Sequence, residues 1–257
     1  MKTRLYQLCS LWFLMMMAGP GAWAQNNNAG WKFELAPFLW AANVSGEAGL
    51  GPINAPLDLD FQDDILENLD FVLTLNFEGK KDGKWGFLSQ LTTMKLDPTT
   101  QTPAGPLNVD FKMDLIELGG TYTISRSSNS MIELLGGGRY TAMDLKINPV
   151  PPPLGGNPVD EAWWDAFFGA RIRSNFGDSG KWGFIARADI GTGESDFVWN
   201  AAAHLTYRFN RTVTGLLGYR ILDYDIENGS GPQRFAFNGD IQGVVAAVIF
   251  SWGSAAY

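Results

Sequence analysis

His204 and Cys9 are the only imidazole and the only thiol in this chain of 257 residues, so few side chains could serve as a catalytic base or a nucleophile. A structural zinc site draws on several Cys and His ligands, which this sequence lacks. An acidic residue or a serine two positions from His204 would suggest nucleophilic catalysis, but Ala202 and Thr206 occupy those positions. We therefore expect neither an enzyme nor a cofactor. Catalysis by His204 is an alternative only if a neighbouring strand supplies a serine or a carboxylate.

The charged residues form a more informative pattern, because they recur in the middle of apolar segments and on one alternating face. Acidic and basic members of that face could pair inside a closed barrel, while lipid covers the opposite face. We predict that such pairs fill the interior. The predicted network consists of Glu34, Glu78, Glu117, Glu133, Arg139, Asp165, Arg171, Arg187, Asp189, His204, Arg220 and Asp240, with Arg173 and Arg208 as further basic members.

A second charged feature is a run of acidic residues, without any Lys or Arg, between positions 41 and 79. Carboxylate oxygens suit Ca²⁺, but the run lacks the glycine and the terminal glutamate of an EF-hand loop. A solvated acidic loop is one interpretation, and a cation bridge to phosphate groups is the other. Residues 64–70 could also form a helical turn over a barrel mouth. The candidate cation contacts are Asp58, Asp60, Asp63 and Asp64.

The N-terminus has the order of features of a secretory signal peptide. Lys2 and Arg4 precede an apolar stretch, and a small-residue cleavage site ends at Ala24. The apolar stretch has about 11 residues, whereas a membrane helix needs about 20. We expect residues 1–24 to be removed and residues 25–257 to form one domain. The net charge of −8 argues against a nucleic-acid partner.

Downstream of this leader, apolar and polar residues alternate with a period of two, which is typical of β-strands. In the first segment Trp31, Phe33 and Leu35 share one face, and Lys32 and Glu34 share the other. Turn-rich stretches divide ten such segments. The ten segments cover residues 31–44, 69–79, 85–96, 109–124, 131–147, 162–176, 181–191, 197–209, 212–225 and 234–252.

The connections between these segments alternate in length. Short turns follow the even-numbered segments, and longer or Gly/Pro-rich loops follow the odd-numbered ones. This asymmetry characterises outer-membrane barrels, in which the short turns face the periplasm. The sequence therefore predicts an all-β, closed, antiparallel, up-and-down transmembrane β-barrel of about ten strands, with eight or twelve as alternatives. The cell outer membrane is the expected location.

A soluble periplasmic β-barrel is the alternative fold, because it shows the same alternation with its apolar face turned inward. Two features favour the membrane barrel. A soluble barrel would have to bury the mid-segment charges in an apolar cavity, and aromatic residues gather at both ends of the segments, as they do at membrane interfaces. The two expected aromatic girdles are Trp31, Phe77, Trp85, Trp182, Tyr207 and Phe209 near the short turns, and Trp40, Phe71, Tyr140, Trp164, Trp199 and Phe235 near the long loops.

The outward face is ambiguous in one segment, the fourth. In the fourth, Phe111, Met113 and Leu115 are out of phase with Ile116 and Leu118, and a β-bulge near Leu115 would reconcile the two parities. In the tenth, we assign an apolar set to the outward face and a polar set to the inward face. The apolar set is Phe235, Phe237, Ile241, Val245 and Ile249, and the polar set is Asn238, Asp240 and Gln242.

Four stretches resemble a widespread group of small Gram-negative outer-membrane β-barrel proteins, loosely similar to the OmpA and OmpW barrels. They are residues 31–40 (WKFELAPFLW), 64–70 (DILENLD), 117–122 (ELGGTY) and 218–225 (GYRILDYD). The resemblance covers most of the chain after the leader and implies fold and location, but no functional residues. Such barrels commonly end in an aromatic residue. Tyr257 fits that pattern, whereas Ala255 and Gly253 depart from it, so the last strand could end at Phe250 or Trp252.

A barrel of about ten strands encloses a lumen that side chains largely fill. The expected function is therefore a structural or surface role, with a charge-filled lumen and no large pore. A narrow, porin-like channel for small solutes is the first alternative, and an outer-membrane enzyme is the second. The expected partners are outer-membrane lipid and lipopolysaccharide, with periplasmic chaperones and the barrel-assembly machinery during biogenesis.

Overall fold

The chain forms one antiparallel sheet in a computed structural model that describes residues 30–59, 69–96, 99–102, 105–149 and 159–253. No helix among these residues is long and apolar enough to span a bilayer. The predicted signal peptide and residues 64–68 of the helical turn predicted over 64–70 lie outside the described residues, whereas Leu69 and Asp70 begin a strand. The strands are β1 (Trp31–Leu50), β2 (Ile53–Leu59), β3 (Leu69–Lys81), β4 (Trp85–Leu96), β5 (Thr99–Thr102), β6 (Gly105–Arg126), β7 (Ser130–Pro149), β8 (Val159–Phe176), β9 (Trp182–Gly193), β10 (Phe197–Arg208), β11 (Val213–Asn228) and β12 (Phe235–Gly253).

The sheet closes into a barrel because the last strand, β12, pairs with the first strand, β1. β2 and β5 are not part of this closed circuit, since β2 pairs only with the last residues of β1 and β5 pairs only with the first residues of β6. The other ten strands form the barrel and correspond one to one to the ten predicted segments. The predicted closed, up-and-down, ten-stranded barrel is therefore confirmed, in preference to eight or twelve strands.

Short turns join the strands at one end of the barrel, the turn side. The connections at the other end, the loop side, are mostly longer, although the one between β9 and β10 has only three residues. The turn between β3 and β4 places Asp82 and Gly83 at φ values of 52° and 64°, which Asp and Gly tolerate better than other residues. The start of β1 lies beside the end of β12, where Lys32 pairs with Gly253. Both therefore lie at the turn side, which faces the periplasm in barrels of this kind.

In the turn-side half, apolar side chains face outward. Aromatic rings pair on the outer surface near the turns, where the ring centroids of Trp85 and Tyr122 lie 4.4 Å apart and those of Trp182 and Tyr207 lie 4.8 Å apart. A closed sheet with an apolar outer band satisfies its backbone groups within lipid, so this half spans the membrane. The outer band includes Leu118, Ile132, Phe168, Phe184, Leu205, Leu217, Val248 and Phe250.

The loop-side half has the opposite polarity. Its interior holds an apolar plug, the buried cluster whose largest members are Trp40, Trp163, Tyr224, Phe111, Phe235, Phe237, Met94 and Met113. Its outer surface carries polar residues that alternate with the plug residues, among them Asn43, Asp114, Asp223, Asn238 and Asp240. About 9–11 residues suffice for a strand to cross a membrane, whereas β1 has 20. The loop-side half is thus the part of the barrel that extends beyond the lipid hydrocarbon.

This inversion corrects the predicted loop-side girdle. Trp40 and Phe235 were expected at the lipid interface, but each is only 1% exposed and lies in the plug. Tyr140 and Trp164 do lie on the outer surface, with ring centroids 5.2 Å apart. The side chain of Phe71 lies outside the described residues.

The inversion also corrects the assignment of the tenth segment and resolves the ambiguity of the fourth. The apolar residues of the tenth segment face inward rather than outward, and Asn238, Asp240 and Gln242 share the outer face with Val244. In the fourth segment Phe111, Met113 and Leu115 belong to the plug. The predicted bulge near Leu115 is wrong, because β6 pairs with β7 without a break there, and the register shifts only between Thr123 and Ser125.

Candidate functional site in the barrel lumen

The lumen of the membrane-spanning half contains the predicted charge network. Its centre is Glu117 on β6, whose carboxylate is fully buried. Arg139 on β7 donates from Nε to Glu117 Oε1 at 2.8 Å, and Arg187 on β9 donates from Nη1 to Oε2 at 3.0 Å. Because successive residues of a strand face opposite sides, the parity of these segments already placed the three side chains inside.

A second carboxylate, Asp189, completes this central cluster. It accepts hydrogen bonds from Arg139 Nη2 at 2.7 Å and from Arg187 Nε at 2.7 Å. Asn200 donates to Asp189 at 2.9 Å and accepts from Arg220 Nε at 2.8 Å, so it links β11 to the cluster. Every carboxylate oxygen of Glu117 and Asp189 therefore already accepts a charged hydrogen bond.

A second cluster lies nearer the turns. Arg171 on β8 donates two hydrogen bonds to Glu78, at 2.7 and 2.8 Å, and a third from Nε to Glu133 at 2.9 Å. Arg173 bridges Glu34 and Glu78 at 2.7 and 2.9 Å. Bidentate pairs of this kind are both strong and geometrically specific, so the cluster ties β1 and β3 to β8 across the lumen.

Two predicted members of the network have other surroundings. Asp165 is buried, but it accepts hydrogen bonds from Trp163 Nε1 at 3.1 Å and from the Ser195 hydroxyl at 2.8 Å. Asp240 is not in the lumen, and its assignment to the network was wrong. It lies on the outer face of β12, where Ser45 Oγ donates to it at 3.2 Å.

Asp240 is one of several acidic side chains that face outward on the loop side of the membrane-spanning band. Burial and the neighbouring carboxylate of Asp240 raise the pKa of Asp223, against an opposing hydrogen bond from Trp199. This group was missed because the sequence interpretation gave each strand a single polarity from end to end.

Two aromatic residues contact the arginines of the central cluster: Trp40, which belongs to the plug, and Phe167, which does not. The guanidinium carbon of Arg220 lies 4.7 Å from the ring centroid of Trp40. Those of Arg139 and Arg187 lie 5.2 and 5.4 Å from the ring of Phe167. Guanidinium groups are attracted to aromatic faces, so these contacts pack the arginines of the central cluster against aromatic side chains. Phe167 and Trp40 were not predicted here, although both share the parity of a lumen charge on the same strand.

A cavity of about 120 Å³ lies below the plug, between the two clusters and the apolar inner faces of β1, β11 and β12. The lumen becomes more accessible toward the turns, since the exposed fraction of the ionic side chains rises from 0% at Glu117 to 22% at Arg173. His204 lines the cavity, and its Nδ1 atom makes no hydrogen bond. The cavity thus approaches solvent at the turn side and ends at the plug.

The predicted cation contacts form no site in the part of the chain that the structure describes. Asp58 is exposed on β2, and Asp60, Asp63 and Asp64 lie outside the described residues. Within the described ranges, no group of three or more His, Cys, Asp or Glu residues could hold a metal ion. The cation bridge therefore stays a prediction. Lys80, which pairs with Glu133, is a lumen residue that the sequence interpretation missed.

Comparison with known proteins gives structural similarities only. No protein-family model and no curated protein matches the chain. The outer membrane protease OmpT from Escherichia coli is similar over 89% of this chain and 97% of its own, at 6% identity and a TM-score of 0.48. The translocator domain of the autotransporter NalP from Neisseria meningitidis covers 96% and 97%, at 11% identity and a TM-score of 0.41. Neisserial surface protein A covers 87% and 98%, at 13% identity and a TM-score of 0.33.

The chain's own geometry supports its assignment to a class of membrane protein. It has a closed antiparallel sheet, an apolar outer band, aromatic pairs near the turns and an ionic lumen. Only closed sheets and helices satisfy their backbone groups in lipid, and this combination of outer and inner surfaces is that of an outer-membrane barrel. The chain is a small outer-membrane β-barrel protein.

Proposed function

We propose that this protein is a closed barrel with a structural and surface-interaction role in the outer membrane, and that it forms no large pore. The observation that carries the proposal is the plug. Trp40, Trp163 and Phe237 are each 1% exposed and fill the lumen in the loop-side half. Interiors packed in this way leave few voids as large as a water molecule, so solute has no path across that half.

Conductance in planar lipid bilayers tests this proposal, with a general porin as the positive control. We expect the purified protein to give no stepwise currents at the level of that porin. A variant that combines Trp40→Ala with Phe237→Ala removes two large plug side chains from neighbouring strands, and we expect it to conduct more than the wild type. Porin-level currents from the wild-type protein would overturn the proposal.

A narrow path for small solutes is the second candidate, and the lumen cavity is the observation that favours it. The cavity reaches the plug from the turn side, so only a rearrangement of the plug would connect it to the loop side. Swelling of protein-containing liposomes in small sugars and amino acids separates the two candidates. Swelling no faster than that of protein-free liposomes supports the closed barrel.

We also propose that the barrel is not an enzyme. His204 faces the cavity beside Arg220, and its Nδ1 atom has no serine or carboxylate partner. A general base of the Ser-His-Asp type needs such a partner within hydrogen-bonding reach. Peptide or lipid hydrolysis by the wild type that His204→Ala abolishes would contradict this proposal.

The proposed partners follow from the two outer surfaces. The apolar band contacts lipid acyl chains, and we propose that the polar loop-side surface contacts lipopolysaccharide. Biogenesis would require periplasmic chaperones and the barrel-assembly machinery, because the unfolded strands expose long alternating apolar faces before insertion.

A further inference from the structure

The cavity in the lumen has an ionic part and an apolar part. Arg187, Arg220 and His204 line the ionic part together with Glu34, Glu78, Arg171 and Arg173, and Phe38, Leu216 and Val245 belong to the apolar part. Most polar groups around it are already paired, so the few that are not indicate what the cavity could hold. Pairing in the central cluster uses every carboxylate oxygen of Glu117 and Asp189. Besides Nδ1 of His204, the unused groups of cavity-lining residues in the central cluster are guanidinium nitrogens, which can only donate.

Two guanidinium nitrogens are in this position. The Nη2 atoms of Arg187 and Arg220 are buried and form no hydrogen bond. Arg220 is 95% buried, since its relative exposure is 5%, and its Nη2 atom lies 3.7 Å from the nearest carboxylate oxygen, on Glu117. A buried donor without a partner carries the full cost of its lost hydration, and this cost is larger when the donor is charged. A bound hydrogen-bond acceptor would remove that cost.

The charges around Arg220 favour an anionic acceptor. Arg139, Arg187 and Arg220 share only Glu117 and Asp189 as ion-pair partners in the central cluster. The next buried carboxylate, Asp165, is bonded to Trp163 and Ser195 instead. In the second cluster, Glu34 and Glu78 are held by Arg171 and Arg173. A carboxylate ligand would supply the additional negative charge, and guanidinium groups bind carboxylates with matched geometry.

One inward-facing position close to these donors is a glycine that packs against the backbone of β10. Gly218 is the inward-facing residue between Arg220 and Leu216 on β11, and it lies opposite His204 on β10 and Val245 on β12. Gly218 contributes no side chain at this level. The volume of about 120 Å³ exceeds the roughly 10–15 Å³ of probe-occupied volume that one water molecule needs. It suits a small molecule with an anionic head and a short apolar tail.

We propose that the turn-side cavity binds a short-chain monocarboxylate. Its carboxylate accepts hydrogen bonds from Nη2 of Arg220 and Arg187, and its alkyl chain lies against Leu216, Val245 and Ala247. The ligand enters from the periplasmic side, where the lumen is more accessible. This inference is independent of conductance, since binding needs access from one side only.

Isothermal titration calorimetry of the folded, detergent-solubilised protein tests the proposal, with sodium acetate, propionate and butyrate as probes and sodium chloride as the ionic-strength control. We expect saturable binding of the carboxylates. Affinity should rise roughly three- to fourfold for each added methylene, until the chain outgrows the cavity. Absence of saturable binding for all three acids would show that the cavity holds only water and would overturn the proposal. Equal affinity for all three, or saturation by chloride alone, would overturn the assignment of a carboxylate with an alkyl tail.

Two lumen variants and one matched control locate the site. Arg220→Gln removes the free donor and should weaken butyrate binding at least tenfold. Ala202→Leu lies opposite Arg220 and fills the cavity without changing a charge, and it should weaken butyrate more than acetate. Arg208→Gln changes an exposed arginine at the end of the same strand as Ala202 and should bind as the wild type does. Heat-modifiable migration on gels identifies folded protein. If Arg220→Gln does not fold, unchanged butyrate affinity in Ala202→Leu still overturns the proposal.

Discussion

At the centre of the barrel, the carboxylate of Glu117 holds arginines from two strands, the adjacent β7 and the more distant β9. It accepts from Arg139 on β7 and Arg187 on β9, and both of its oxygens are buried. A buried ion pair adds little net stability when both partners are present, because desolvation offsets the attraction. Removing one partner leaves an uncompensated buried charge, which is far more costly. The ionic lumen is therefore sensitive to loss of any single member.

Glu117→Gln should destabilise the barrel by about 3–5 kcal/mol, since Arg220 would lose its ion pair with Glu117, and Arg139 and Arg187 would keep only Asp189 in the central cluster. Equilibrium unfolding in urea, followed by tryptophan fluorescence in lipid vesicles, measures the change. A loss below about 1 kcal/mol would mean that water or ions compensate the arginines and that the pairs are not energetically coupled.

A matched control lies on the loop-side rim. Glu227 accepts a hydrogen bond from Arg234 Nε at 2.6 Å, but more than half of its side chain is exposed. Solvent screens such pairs, so Glu227→Gln should leave the unfolding transition essentially where it is. The contrast between the two glutamates isolates the effect of burial from the effect of charge.

Most of the site could be predicted from the sequence, because residues an even number of positions apart on a strand share one face of the sheet. Glu117, Arg139 and Arg187 follow this rule, and so does Arg171. The choice of partners could not be predicted, since it depends on how far neighbouring strands are staggered around the barrel. Arg173, for example, reaches Glu34 across the lumen, 139 positions away in the chain.

At the scale of the strands, the sequence interpretation assigned the wrong outward face in the loop-side half of the barrel. Each long strand changes polarity partway along, so that its outer face is apolar toward the turns and polar toward the loops. Apolar and polar residues alternate with a period of two in both halves, so the pattern does not show at which residue the outer face changes from apolar to polar. A signal was present on β11, where Tyr219 and Ile221 share their parity with Asp223 and Asp225. Charges that follow apolar residues on one face mark the level at which the lipid ends.

This boundary gives a prediction for lysine substitutions on the outer face of β12. Val248 faces lipid in the membrane-spanning half, and Asn238 faces outward in the loop-side half. Val248→Lys should cost about 2–4 kcal/mol in bilayers, the range for a lysine near the midplane of a lipid-facing strand. Asn238→Lys should cost almost nothing, because it lies in water beside Asp225.

Unfolding of both variants in lipid vesicles, measured against the wild type, checks the position of the boundary. An equal and large loss for Asn238→Lys would place the loop-side surface within the hydrocarbon, contrary to the polarity of its neighbours. Little loss for Val248→Lys would instead remove the apolar band on β12 from the membrane.

The whole molecule is a stack of two differently built halves within one closed sheet. The membrane half is apolar outside and ionic inside, and the loop-side half is polar outside and apolar inside. The ten-stranded circuit and the alternation of short turns with long loops were both predictable, because local sequence determines each of them. The plug was not, because its residues come from many strands and their inward direction depends on where the membrane ends.

Orientation in the cell is the prediction that belongs to this scale. With the turn side in the periplasm, Ser230 in the loop before β12 should face the medium, and Ser179 in the turn before β9 should face the periplasm. The wild-type chain has a single cysteine, Cys9, in the predicted leader, so a cysteine introduced at either serine would have no other thiol to compete with it outside that leader. A membrane-impermeant maleimide should label Ser230→Cys in intact cells, and it should label Ser179→Cys only after the outer membrane is permeabilised. Labelling of the wild-type chain would show that Cys9 is retained, and the reverse pattern of the two variants would invert the barrel and place the cavity opening outside the cell.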